Sequence, residues 1–114
     1  MNSSWENFLL AAQSLSAAGP IKNRLVEAYS SHLAAIRADD LPREVRDEFL
    51  ALNDCLCAVR PLRGETTLQA SVRKMSDNEA SKHAQRILNL LGMLIRLQVQ
   101  PRQTILRAVN GNED

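Results

Sequence analysis

Apolar residues recur along most of this chain at helical spacing, and glycines, prolines and cap residues punctuate the pattern. The first stripe is Trp5, Phe8, Leu9, Ala12 and Leu15, which keeps one helix face apolar and predicts a helix over residues 4–17. Ahead of it, "SSWE" has the form of a capping box, with Ser3 accepting from the backbone of Glu6 and Glu6 reaching back. Gly19 and Pro20 then stop one helix and start the next. A second stripe of Ile21, Leu25, Tyr29, Leu33 and Ile36 predicts a helix from Pro20 to about Ala38. Asp39 or Asp40 can cap, and Pro42 sits near the next start.

The third helix, roughly 42–59, carries the clearest pattern: Val45, Phe49, Leu52, Leu56 and Val59 form a heptad seam. Arg43, Glu44, Arg46, Asp47 and Asp54 occupy its outer face. Pro61 and Gly64 break it. Leu68, Val72 and Met75 then predict a short helix near 66–75, and "SDNE" is a second capping box, Ser76 with Glu79. This box opens a long helix over 77–98. Its apolar residues, from Ala80 through Leu97, cover more than one stripe, which implies contact on two or three sides. Gly92 costs this helix about 1 kcal/mol relative to alanine, and close approach of a neighbouring helix would compensate. Pro101 is expected to end the segment. A short helix over 102–109 would dock through Ile105, Leu106 and Val109, leaving 110–114 as a frayed tail. The pattern as a whole predicts an all-α protein of four main helices in a bundle, with one or two short extra helices. It forms a single domain over residues 1–109.

Composition supports this. Of 114 residues, 45% are hydrophobic and only 4% aromatic, so aliphatic side chains must fill the core. The net charge of +1 argues against a generic polyanion binder. Charge is unevenly spread, however: residues 1–59 sum to −3 and residues 60–114 to +4. The halves could attract each other within one fold or between copies, or present a basic face to a partner. Cys55 and Cys57 lie two apart on a helix, about 200° around its axis, and cannot bond each other there. They read as reduced, which points to the cytoplasm. The N-terminus lacks a basic region and makes a poor signal peptide. The run Ile87–Val99 is too short to span a bilayer, so no membrane role is expected.

The segment between two long apolar-patterned stretches, Val59 to Glu79, carries Arg60, Arg63, Arg73 and Lys74. These could contact phosphates, and nucleic-acid binding is the alternative reading. "RPLRGE" lacks the spacing of a phosphate-binding loop, and no aromatic residue lies nearby for base stacking. Pairing of these cations with the acidic first half is the favoured expectation. His32 and His83 have no acid three residues earlier, and with the cysteines they form no recognisable ligand set. Glu79 and His83, four apart, read as a capping glutamate and a surface histidine. No catalytic residue, metal or cofactor is expected. The leading expectation is a non-enzymatic interaction module, a homodimer or a small adaptor. It would pack through Leu90, Leu91, Leu94, Ile95 and Leu97.

The phrases "LPREVRDEFLAL" and "VRPLRGETTLQASVRKMSDNEASKHAQRIL", in that order over residues 41–88, resemble short helical proteins of proteobacteria that carry no assigned activity. The resemblance implies a bacterial cytoplasmic protein and gives no catalytic residue to carry over.

Overall fold

A computed structural model describes the backbone of residues 4–113 and the side chains of residues 4–98. All regular structure among these residues is helical. Five α-helices follow one another: α1 (Ser4–Leu15), α2 (Ile21–Ala28), α3 (Arg43–Leu56), α4 (Thr67–Arg73) and α5 (Asp77–Glu113). One stripe of α5 organises the others. Ala80, Ala84, Ile87, Leu90 and Leu94 are buried, and α5 touches α1, α2 and α3. Phe8, Ala11 and Leu15 of α1 meet this stripe, as do Leu25 and Ala28 of α2 and Val45, Phe49, Leu52 and Leu56 of α3. Phe8 and Phe49 join α1 to α3 edge to face, with ring centroids 5.9 Å apart. Burying each large aliphatic side chain contributes roughly 1.5–3 kcal/mol.

α1 and α5 run antiparallel. Ser4 and Trp5 share a groove with Leu94 and Gln98, while Leu15 shares another with Ala84 and Leu88. The sharp turn between α1 and α2 uses Gly19 at φ 111°, a conformation that side chains with a Cβ disfavour. Arg24 reaches back from α2 to the carbonyls of Leu15 (2.6 Å) and Gly19 (2.9 Å). It thereby satisfies acceptors that the end of α1 leaves open.

The second predicted helix is shorter than its expected bounds. The α-helix stops at Ala28 and widens into a π-turn over Tyr29–Leu33, where the Ala34 amide donates to the Tyr29 carbonyl at 2.8 Å. The wider turn keeps Tyr29 and Leu33 both buried. A 3₁₀ turn, Ala38–Asp40, follows. Arg46, expected on the outer face of α3, instead donates to the carbonyls of Ala38 (3.1 Å) and Leu41 (3.0 Å) and pins this turn. α3 ends at Leu56, with Val59 beyond it. The Val59 amide donates to Ser71 Oγ at 3.0 Å, and that hydroxyl donates to the Thr67 carbonyl at 2.9 Å. α4 opens with a capping box of Thr66 and Gln69, which the sequence reading did not single out.

Ser76 and Glu79 form the expected box at the start of α5. The expected partner of this box, at Ser3, falls outside the described residues. α5 continues as helix through Pro101, where a break was expected. Proline withdraws one amide from the ladder and crowds one carbonyl, which costs stability without forbidding the helix. The side chains of Ile105, Leu106 and Val109 lie outside those described.

Gly92 also departs from expectation. Among the described residues, no neighbouring helix places an atom within 4 Å of where its Cβ would stand. Gly92→Ala is therefore expected to raise stability by up to about 1 kcal/mol, read as a higher urea midpoint at low protein concentration. Ser71→Ala is expected to cost about 1 kcal/mol, because it strands the Val59 amide. A midpoint unchanged within error would show that the Ser71 bridge contributes nothing.

Candidate functional site

The five positions first expected at an interface divide. Leu90 and Leu94 are core residues, each 2% exposed, while Leu91 and Leu97 are half-buried against the core and Ile95 remains 41% exposed. The helical repeat explains the division: Leu90 and Leu94 share a face with Ile87, whereas Ile95 shares one with Leu88.

The flank of α5 that holds Arg86 faces α3, because Arg86 Nη1 lies 3.7 Å from Cys55 Sγ. The opposite flank carries Leu88, Leu91, Gly92 and Ile95 and faces towards α1, in keeping with the groove that Leu88 shares with Leu15. On α1, Leu9 follows Phe8 by about 100°, on the flank of Ala12. The antiparallel packing sets that flank beside the Leu88 flank of α5. Leu9 is 38% exposed and Leu88 47%. The two helices thus share an outward apolar face of Leu9, Ala12, Leu88, Leu91, Gly92 and Ile95.

Charge stands at the rim of this face, where Glu6 and Arg96 are exposed. Residues 7–21 hold no Asp, Glu, Lys or Arg, in a chain of which 24% is charged. Along α5, the outward positions between Lys82 and Arg96 are Gln85, Leu88, Asn89, Gly92 and Ile95. Depletion of charge around exposed aliphatic side chains is the compositional mark of an interface core. The sequence contained this signal in the uncharged run across α1, but reading it required knowing that α1 and α5 are neighbours.

The basic stretch is arranged differently from expectation. Arg73 pairs with Glu65, Nε to Oε2 at 2.7 Å and Nη2 to Oε1 at 3.2 Å. Glu65 belongs to the same basic half of the chain, so this cation does not pair with the acidic first half. The Arg73 guanidinium and the Leu62 amide, which donates at 3.0 Å, hold the Glu65 carboxyl below its usual range. Gly64, at φ 84°, makes the turn that sets this pair. Lys22 of α2 donates to the Arg73 carbonyl at 3.1 Å, tying α2 to the end of α4. Arg60, Arg63 and Lys74 are exposed.

Cys55 and Cys57 are both free and exposed. Burial pushes the Tyr29 hydroxyl up to about 12, with a smaller contribution from Cys57. His83 is half-buried, with Nδ1 3.3 Å from Arg86 Nη1. Among the described residues, no group of three or more His, Cys, Asp and Glu side chains is placed to hold a metal ion. No described helix is long and apolar enough to cross a membrane. No family model matches the chain, and no curated protein or solved structure shows significant similarity to it.

Burial and the adjacent Arg86 charge hold His83 below the usual histidine range, and Glu79 opposes them weakly. The folded protein therefore binds this proton less readily than the unfolded chain. Stability from His83 is present above the unfolded pKa of about 6.5. It is lost as pH falls from there through the folded value. The urea midpoint is expected to drop between pH about 7.5 and about 5.5, and His83→Gln is expected to reduce that drop. An equal drop in the variant would assign the effect elsewhere.

Proposed function

We propose that this protein is a non-enzymatic interaction module that docks a protein partner on the outward α1–α5 face. The aliphatic surface of Leu9, Leu88 and Ile95, with charge only at its rim, is the observation that carries the reading. It combines exposed aliphatic side chains with the charge depletion of an interface core. In this reading α1, α2, α3 and α5 are the four main helices of a bundle, and α4 is a strut between α2 and α3. The docking set is revised accordingly: Leu9, Leu88 and Ile95, with Leu91 at its floor, replace Leu90 and Leu94. Leu97 lies towards the opposite flank of α5. A reduced, cytoplasmic protein without cofactor belongs to the same reading. The nucleic-acid alternative rests on four cations, and Arg73 is already engaged with Glu65. Arg60, Arg63 and Lys74 remain as a small exposed set.

A photo-crosslinking side chain introduced at position 88 or 95 in cells is expected to give the same discrete adduct. Position 47, exposed on α3, is expected to give none, and Leu9→Asp is expected to abolish the adduct from position 88. Equal labelling from position 47, or no adduct from positions 88 and 95, would remove the interaction reading.

A further inference from the structure

We infer that Cys55 is a modification site, where the thiol exchanges with disulfides of small carboxylate-bearing thiols, selected by Arg86. The inference goes beyond the interaction reading and does not depend on the α1–α5 face.

Three side chains from two helices meet here. Cys55 is free and exposed in the last turn of α3. Arg86 of α5 brings Nη1 to 3.7 Å from its sulfur, and the same nitrogen lies 3.3 Å from His83 Nδ1. A guanidinium can only donate, so Nδ1 accepts and the ring is neutral, with its proton on Nε2. The depressed His83 agrees with this. His83 is therefore a positioning residue: it fixes one nitrogen of Arg86 between the imidazole and the sulfur. The rest of the guanidinium has no partner among the described residues. Ala51, one turn earlier on the Cys55 face, is small and exposed, so the sulfur is open to a reagent along α3.

The chemistry fits a disulfide. In exchange the attacking sulfur is anionic, and the departing sulfur leaves as an anion. The Cys55 sulfur bonds to one sulfur of the incoming disulfide, whose S–S bond breaks. The Cys55 proton goes to water, and the released thiolate takes one from water. Cys55 is oxidised and the departing sulfur is reduced, so the disulfide is itself the oxidant. Arg86 opposes the charge on the sulfurs, and its open donors fit the two oxygens of a carboxylate on the reagent. Asp54 on α3 and Glu79 on α5 bring negative charge to this flank, and Lys82 opposes them. Without Arg86 the balance is negative and repels such a reagent. Cys57 supplies an internal comparison. It is also free and exposed, but it stands at the cap of α3 beside the buried Tyr29, with no cation bonded to it among the described residues.

The test uses the full chain carrying Cys57→Ser, which leaves Cys55, and the full chain carrying Cys55→Ser, which leaves Cys57. Each reacts at neutral pH with glutathione disulfide, an anionic carboxylate-bearing reagent, or with cystamine, a cationic one. Mass spectrometry follows the adducts over time. The ratio of the two reagents' rates cancels differences in exposure. It is expected to be at least about fivefold higher at Cys55 than at Cys57, the factor that one charge at this distance supplies even in bulk water. Arg86→Gln is expected to bring the Cys55 ratio down to that of Cys57, and Arg86→Lys to keep part of the difference. Added salt is expected to shrink the difference in the chain that retains Arg86, a measurement that does not rely on any Arg86 variant folding. Equal ratios at the two cysteines would overturn the inference, as would a difference that salt leaves unchanged or that survives in Arg86→Gln. No adduct at Cys55 under conditions that modify Cys57 would overturn it as well.

Discussion

Everything in this fold leans on one stripe of one helix. Ala80, Ala84, Ile87, Leu90 and Leu94 form the surface that α1, α2 and α3 cover, while α1 and α2 also pack directly on each other. The stripe is small at its beginning and large at its end. Alanines at 80 and 84 let neighbours come close, and the larger side chains from Ile87 onward fill the space beside the Phe8–Phe49 pair. A polar residue at Ile87 or Leu94, both fully buried in this common core, would therefore disturb more than one helix contact.

Polar side chains do the complementary work at the joints. Arg24 closes the end of α1, Arg46 holds the turn before α3, Ser71 takes the stray amide of Val59, and Glu65 with Arg73 braces the turn at Gly64. Each bond answers backbone groups or charge that a short connection would leave open. The basic stretch between α3 and α5 is best understood in this light. One of its four cations has a bracing task, and Lys22 adds a tie from α2.

How legible this was depended on the range of the interaction. The seam of α3 was readable because Val45, Phe49, Leu52 and Leu56 obey one local period, and all four are buried. The Ser76–Glu79 box was readable because its two bonds span three residues. The π-turn was not, since inserting a residue at Tyr29 leaves the apolar spacing close to that of an ordinary helix. Arg46 was misassigned because an arginine on a polar face looks the same whether it points to water or back to a carbonyl. The outward face was the hardest to read. Leu88 and Leu90 look equivalent in a run of leucines, and only the packing of α1 on one flank and α3 on the other separates surface from core.

The antiparallel pairing of α1 with α5 also sets an order of assembly. Leu15 and Leu88 share a groove although most of the chain lies between them. During synthesis the apolar side of α1 is complete long before the stripe it needs has been made. Until α5 is finished, Phe8, Ala11 and Leu15 have only part of their cover, from α2, the π-turn and Phe49, and no charge between Asn7 and Ile21 keeps that segment apart from other chains. Closing so long a loop also slows folding relative to a bundle whose neighbours are adjacent in sequence. The nascent chain thus passes through an interval in which its first helix is its most adhesive part.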